Sequence, residues 1–297
     1  MLSLENFAAL YQQFEDLANT EVAPIVIGDH RFPSQGPPVI MGTVNLSRDS
    51  TYRESIAIST DSAIRKASIM TAQGAHLIDI GAESSTAKAN RVSAQDQTNL
   101  LVPIIEELTG MGIAISVETY EPIVVKASLK AGARVLNFTG TAHQEEIFEL
   151  AGAAQASVIL CYVGGAYVRE ITDLEVDKDP LPGLLEYFAE RIDIAKKCGV
   201  TNIIIDPGMG FYYGNLVNPE VRVRHQTNVI LNSFRLRQLG YPICQALPHA
   251  FDLFQDEFRT AEGFFAFVAS LGGVNLMRTH EVARVHAVLH AIDSLSI

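Results

Sequence analysis

Seven places along the chain set a carboxylate, amide, guanidinium or imidazole at the end of a short apolar run. They are Asn45, Asp79 with Glu83, Glu118, Asn137, Asp206, Gln245, and Arg278 with His280. Asn and Asp side chains offer paired donors and acceptors, which suit a flat heterocycle with amide-like edges. Arg278 and His280, two positions apart, can both face an anion. The sharpest of these places is Ile203-Ile204-Ile205-Asp206-Pro207-Gly208-Met209-Gly210-Phe211. Three β-branched residues read as a strand buried on both faces, stopped by a carboxylate and a tight Pro/Gly turn. Taken alone, Asp206 needs to do no more than brace that turn; it gains weight because the other apolar runs end the same way.

A repeating unit is needed to bring such scattered groups together. After residues 1–38, read as a helix from Leu4 to Leu17, an extended segment and a turn at Phe32–Gly36, the chain alternates β-rich runs with amphipathic helices closed by Gly. The runs begin at Pro38, His76, Ile113, Arg134, Ser157, Ile203, Pro242 and Val274. Helices are expected around Asp61–Gln73, Asp96–Thr109, from Pro122 to Gly132, around Gln144–Ala153, after Pro182, over Pro219–Leu239, through the Phe-rich stretch to Leu271, and from Glu281. Eight strand–helix units in about 250 residues predict a (β/α)8 TIM barrel over 39–297, with residues 1–38 covering one end. In such a barrel the residues just after each strand share one mouth. A doubly wound open sheet is the alternative, but neither a G-x-G-x-x-G turn nor a Walker loop supports it.

Composition narrows the class. The 297 residues are 48% hydrophobic, ample for one large core. A net charge of -12 argues against nucleic acid, which needs a basic face. The locally basic stretch Arg222, Arg224, Arg235, Arg237 reads as a solvated or oligomer-facing surface. No apolar run of about 18 residues could span a membrane, and Glu5, Glu15 and Asp16 do not fit the basic start of a signal peptide. Cys161, Cys198 and Cys244 are odd in number and far apart, which fits reduced thiols and a cytoplasmic protein. Cys161 and Cys244 are expected simply to fill core.

The same stretches resemble the dihydropteroate synthases and the wider pterin-binding barrel family. Met41-Gly42-Thr43-Val44-Asn45-Leu46-Ser47-Arg48-Asp49-Ser50 is similar to M-G-I-L-N-V-T-P-D-S, and Asp79-Ile80-Gly81-Ala82-Glu83-Ser84-Ser85 to D-I-G-G-E-S-T. Ile115-Ser116-Val117-Glu118-Thr119-Tyr120 resembles I-S-V-D-T-Y, and Leu136-Asn137-Phe138-Thr139-Gly140 resembles I-N-D-I-S-G. The Asp206 stretch matches D-P-G-I-G-F, and Arg278-Thr279-His280-Glu281-Val282 resembles R-V-H-D-V. The resemblance implies condensation of a hydroxymethyl-dihydropterin pyrophosphate with 4-aminobenzoate, releasing pyrophosphate with Mg²⁺ help and without a permanently bound cofactor. By position it implies that Asn137, Asp206 and Glu118 hold the pterin ring. Gln245, Ser85 and Thr86 would join the substrate site, Asn45 would touch the metal-bound pyrophosphate, and Arg278 and His280 would touch its oxygens. A buried carboxylate would read the ring's guanidine-like N–H edge while donors steady the leaving anion. It further implies a homodimer.

Departures cluster at ligand positions. The family's seventh-strand S-R-K-S is replaced by Ile243-Cys244-Gln245-Ala246-Leu247-Pro248-His249, without Lys. The Arg of its second loop is Thr86, with Lys88 two positions on; the Asp of N-D-I-S-G is Phe138; and G-F-G-K becomes Gly210-Phe211-Tyr212-Tyr213. Charge-assisted contacts of this kind are worth roughly 1.5–3 kcal/mol each, so the expectation is a transferase of altered or weakened activity. The competing expectation is a pterin or folate binder without synthase chemistry: a partner subunit, a sensor, or a methyltransferase-like protein. Weaker candidates are His286 with His290 as a metal pair, and Ser84, Ser85 and His280 as a nucleophile–base set without a G-x-S-x-G elbow. Phe251, Phe254, Phe258, Phe264, Phe265 and Phe267 read as core or oligomer contacts.

Overall fold

The computed structural model describes residues 3–47, 49, 52–84, 89–168, 173, 179–210 and 218–295. An antiparallel hairpin, β1 (Ile25–Ile27) and β2 (His30–Phe32), precedes eight parallel strands. These are β3 (Val39–Asn45), β4 (Leu77–Gly81), β5 (Ile115–Thr119), β6 (Val135–Phe138), β7 (Ser157–Cys161), β8 (Ile203–Asp206), β9 (Cys244–Ala246) and β10 (Leu276–Thr279). Their spatial order is β8-β7-β6-β5-β4-β3-β10-β9. A parallel bridge from Ile205 to Ile243 joins the two ends, with the Ile205 N–H donating to the Pro242 carbonyl at 3.0 Å. The sheet therefore closes into the expected barrel, and the open-sheet alternative fails.

The helices are α1 (Leu4–Gln13), α2 (Glu15–Ala18), α3 (Thr60–Ala72), α4 (Ala94–Gly110), α5 (Pro122–Ala131), α6 (Gln144–Ala153), α7 (Leu181–Lys197), α8 (Pro219–Leu231), α9 (Phe251–Phe254), α10 (Ala261–Leu271) and α11 (Val282–Ser294). Three expected helices are broken. The first divides at Phe14. The Pro219–Leu239 helix stops at Leu231 and continues as a 3-10 turn over Ser233–Leu239. There the Asn232 amide turns back onto the Asn228 carbonyl at 2.9 Å, the kind of local side-chain bond that competes with helix continuation. Gly272 also sits so close that an added Cβ would lie 2.0 Å from the Ile230 carbonyl oxygen. The Phe-rich helix is split by Gln255, held at φ +48°, into α9, a 3-10 turn and α10.

Strand alternation divides the core in two. Outward residues such as Ile40, Val44, Ile78, Ile80, Leu136 and Ile205 pack against the helices. Inward residues Val39, Met41, Leu77, Val135, Ile159, Ile204, Cys244 and Leu276 fill the barrel at the strand-start end, where Ile25 and Ile27 of the hairpin pack against them. Most inward positions nearer the strand ends are polar, and they make the site.

Candidate functional site

Counting by twos from Leu77 along β4 gives Asp79; the same parity places Ser116 and Glu118 on β5, Asn137 on β6, Cys161 on β7, Asp206 on β8 and Arg278 on β10 in the barrel interior. Asp79 has no exposed surface. It accepts from the Ser116 hydroxyl at 2.6 Å, the Asn137 amide at 3.0 Å and Arg278 Nε at 2.7 Å. Arg278 Nη2 donates to Glu118 Oε2 at 2.5 Å. One guanidinium thus ties two carboxylates on different strands. Asp79 braces Arg278 from below the cleft, whereas Glu118 and Arg278 line it.

That cleft, open to solvent, is also lined by Asn45, Asn137, Asp206 and His280. Asn45 donates to Ser55 at 2.6 Å. Asn137 accepts from the Cys161 thiol at 3.1 Å, leaving an N–H and a lone pair over. Asp206 braces its own turn, accepting the Gly208 N–H at 2.8 Å, with Gly208 at φ +77°. It does this while still facing the cleft. Cys161 and Cys244 are buried as expected, but both thiols touch the site: Cys244 donates to Asp206.

Two carboxyls are shifted upward. Burial, opposed by Arg278 and reinforced by Asp79 and Asp206, raises Glu118 to about 7. Burial raises Asp206 to about 6, against the pull of the Gly208 N–H. Burial works against the charge on Arg278, but Glu118 and Asp79 more than offset it and hold the guanidinium firmly protonated.

The structure does not bring Gln245 to the cleft. Its side chain is buried on the outer face of β9, donating to Ser233 at 2.8 Å, while Cys244 and Ala246 hold the inward positions. The reason is parity: a residue one step along a strand points to the opposite face. Ser85, Thr86, Lys88, Phe211, Tyr212 and Tyr213 lie outside the described residues. Phe138 is buried in the outer core against Phe148. His286 lies beside Gly74, and neither it nor His290 joins a metal-competent cluster among the described residues. The basic stretch is not a plain surface. Arg222 lines the cleft and pairs with Asp252 at 3.1 Å, Arg235 pairs with Asp179, and Arg237 bonds the Ala18 and Gly273 carbonyls.

Sequence reading missed a second wall. Glu262, on α10 and 1% exposed, accepts at Oε1 from His280 Nδ1 at 2.9 Å and His249 Nδ1 at 3.1 Å. Its Oε2 accepts from the Thr279 hydroxyl and the backbone N–H of His280 at 2.7 Å and Glu281 at 3.2 Å. Burial opposes its charge, but His280 and His249 hold the carboxyl well below its ordinary range. Burial keeps His280 below the usual imidazole range. Tyr52 stacks on His280 with ring centroids 4.5 Å apart and donates to Glu281 at 2.6 Å. The available signal was a lone carboxylate inside the apolar run Ala261-Glu262-Gly263-Phe264-Phe265.

Fold and site together define the class: a (β/α)8 barrel with a polar ligand cleft at the carboxyl ends of its strands. The chain belongs to the family of pterin-binding enzymes, whose family model matches residues 41–280. It is similar to the dihydropteroate synthase of Bacillus subtilis, 29% identical over 268 residues that cover 86% of this chain and 88% of that one. It is also similar to that of Streptococcus pyogenes, 31% identical over 217 residues covering 72% and 76%. Among solved structures, the Yersinia pestis dihydropteroate synthase with a sulfonamide drug has a TM-score of 0.79 at 21% identity, covering 91% of this chain and 98% of that one. The Xanthomonas albilineans enzyme with 4-aminobenzoic acid has a TM-score of 0.77 at 22% identity, covering 92% and 98%.

Proposed function

We propose that the protein is a dihydropteroate-synthase-like transferase that joins a pterin pyrophosphate to an arylamine and releases pyrophosphate, with activity altered by its divergent cleft. The observation that carries this reading is the meeting of Asn45, Glu118, Asn137, Asp206, Arg278 and His280 around one cleft in a chain of the pterin-binding family. Asp206, Glu118 and Asn137 read the ring: two carboxylates accept its guanidine-like N–H groups, and the amide adds a donor and an acceptor. Arg278 and His280 face the leaving anion. To do so Arg278 must loosen its hold on Glu118, so ring and anion recognition are coupled through that ion pair.

Magnesium belongs to this reading as well. Asn45 lines the cleft and its amide carries a hard oxygen, and Mg²⁺ commonly takes one or two protein oxygens together with phosphate oxygens and water. Asn45 therefore fits as its protein ligand. When bound, the ion would neutralise charge on the departing pyrophosphate. A cytoplasmic homodimer is the assembly that fits. On α10, Phe264, Phe267 and Leu271 are 42%, 48% and 51% exposed, an apolar stripe suited to a second copy. No described helix is long and apolar enough to cross a membrane. Residues 1–38 act as a cover at the strand-start end.

A second reading, a pterin binder without turnover, is favoured by one feature: Arg278 is already engaged by Asp79 and Glu118, and the seventh barrel strand brings no Lys. The two are separated by incubating the protein with dihydropterin pyrophosphate, Mg²⁺ and 4-aminobenzoate and following pyrophosphate release. Release is expected. Pterin binding without release would leave the binder, and neither would remove both.

A further inference from the structure

Among the described residues the cleft carries more carboxylates than guanidinium groups. Glu83, Glu118 and Asp206 are acidic, and Asp79 lies just beneath. Among the described residues each arginine lining it is paired, Arg278 with Asp79 and Glu118, and Arg222 with Asp252. Yet one wall carries donors of a different kind. Oε1 of Glu262 and a ring nitrogen of each of His249 and His280 lie within 4.8 Å of one another, and both imidazoles line the cleft.

We propose that His249, Glu262 and His280 bind one divalent ion of the zinc class, distinct from any Mg²⁺ at Asn45. Two imidazoles and a carboxylate suit a borderline metal such as Zn²⁺ or Co²⁺ better than Mg²⁺, which prefers an all-oxygen octahedron. The Glu262–His280 and Glu262–His249 separations of 2.9 and 3.1 Å already approach the roughly 3.3 Å between neighbouring donors of a tetrahedral site with bonds near 2.0 Å. With Nδ1 as the ligand atom, each imidazole would carry its proton on Nε2 instead. The surroundings fix the ligands as outer partners do in built metal sites. The Thr279 hydroxyl and the His280 and Glu281 N–H groups hold Glu262 Oε2, and the Tyr52 ring lies flat on His280 at 13°. Three protein ligands leave a coordination position open to the cleft, the pattern of a catalytic rather than a structural ion. A dication there adds positive charge to that offered by the paired Arg278. Its use against pyrophosphate rests on the transferase reading above; its binding does not.

The test is titration of the purified full-length protein with Co²⁺. Saturable binding of one equivalent is expected, with visible d–d absorption of low-coordinate Co²⁺, displaced by Zn²⁺ but not by excess Mg²⁺. His249→Ala should weaken binding about 100-fold or more and erase the bands. Glu262→Gln should weaken it in the same direction, and Asn45→Ala should leave it unchanged. Absence of saturable binding, or bands that survive His249→Ala in a protein with the wild-type circular dichroism spectrum, would overturn the site. Co²⁺ bands without pyrophosphate release keep the site and remove the transferase reading. Pyrophosphate release with Mg²⁺ present, in a protein that shows no Co²⁺ bands, does the reverse.

Discussion

The two walls of the cleft are built differently. The first is carried by strands: Asp79, Ser116, Glu118, Asn137, Asp206 and Arg278 occupy inward positions on neighbouring strands. Asp79 and Arg278 link most of them through hydrogen bonds. The second is carried by loops and a helix beyond the strand ends. His249 comes from the segment after β9, His280 from that after β10, Tyr52 from that after β3, and Glu262 from α10. Its hub is one carboxylate that belongs to no strand. The first wall is part of the barrel's packing, so disturbing it should disturb the fold. The second is attached to the fold and should be separable from it.

The largest expected effect tests this contrast. Arg278→Met leaves the fully buried Asp79 carboxylate without its cation, and breaking a buried pair from one side costs about 3–5 kcal/mol. Urea unfolding should register that loss, and plain pterin should bind more weakly along with its pyrophosphate. His249→Ala removes a side chain that is 26% exposed, and its cost to stability should stay within about 1 kcal/mol. Equal losses in both variants would erase the difference between the walls.

Next in size is Asp206→Asn. It keeps the shape and loses the charge, and ring affinity by calorimetry should fall roughly 100-fold. An unchanged dissociation constant would show that Asp206 only braces its turn.

A pH series sharpens the first wall further. Glu118 titrates near 7 and Asp206 near 6 in the folded protein, above their values in an open chain. Between about pH 4 and 7 the folded state therefore binds more protons than the unfolded state, and the contribution of these groups to stability falls as pH rises. A ring that donates N–H bonds to them needs both ionised. Its affinity should climb between pH 5 and 7, by at most about tenfold per unit for each carboxyl, and level off above 8. Affinity that is flat or declining over that range would count against carboxylate readers. The smallest effect belongs to Gln245→Leu, which should leave ligand affinity within about twofold and stability within about 1 kcal/mol, since this side chain faces the outer core.

Gln245 also marks how far the sequence could be read. It ends an apolar run as Asp206 does, yet the two face opposite ways. A period of two fixes which residues share a face but not which face is inside, and with a strand of three residues the register can be read either way. The Asp206 strand was unambiguous because its turn, its β-branched run and its carboxylate agree. Glu262 was hidden for another reason. Its partners His249 and His280 lie 13 and 18 positions away, on separate segments, and no local period links them.

By itself the sequence determined the eight alternating units, the closure they imply, and the polar character of the strand ends, because periodicity and turn chemistry act over a few residues. The tertiary structure alone decided that Arg278 is shared between Asp79 and Glu118. It also decided that Cys161 and Cys244 touch the site, and that one buried carboxylate gathers two imidazoles at the cleft. Those outcomes depend on which side chains meet once the ring has closed, and contacts between distant segments are set by packing rather than by neighbours along the chain.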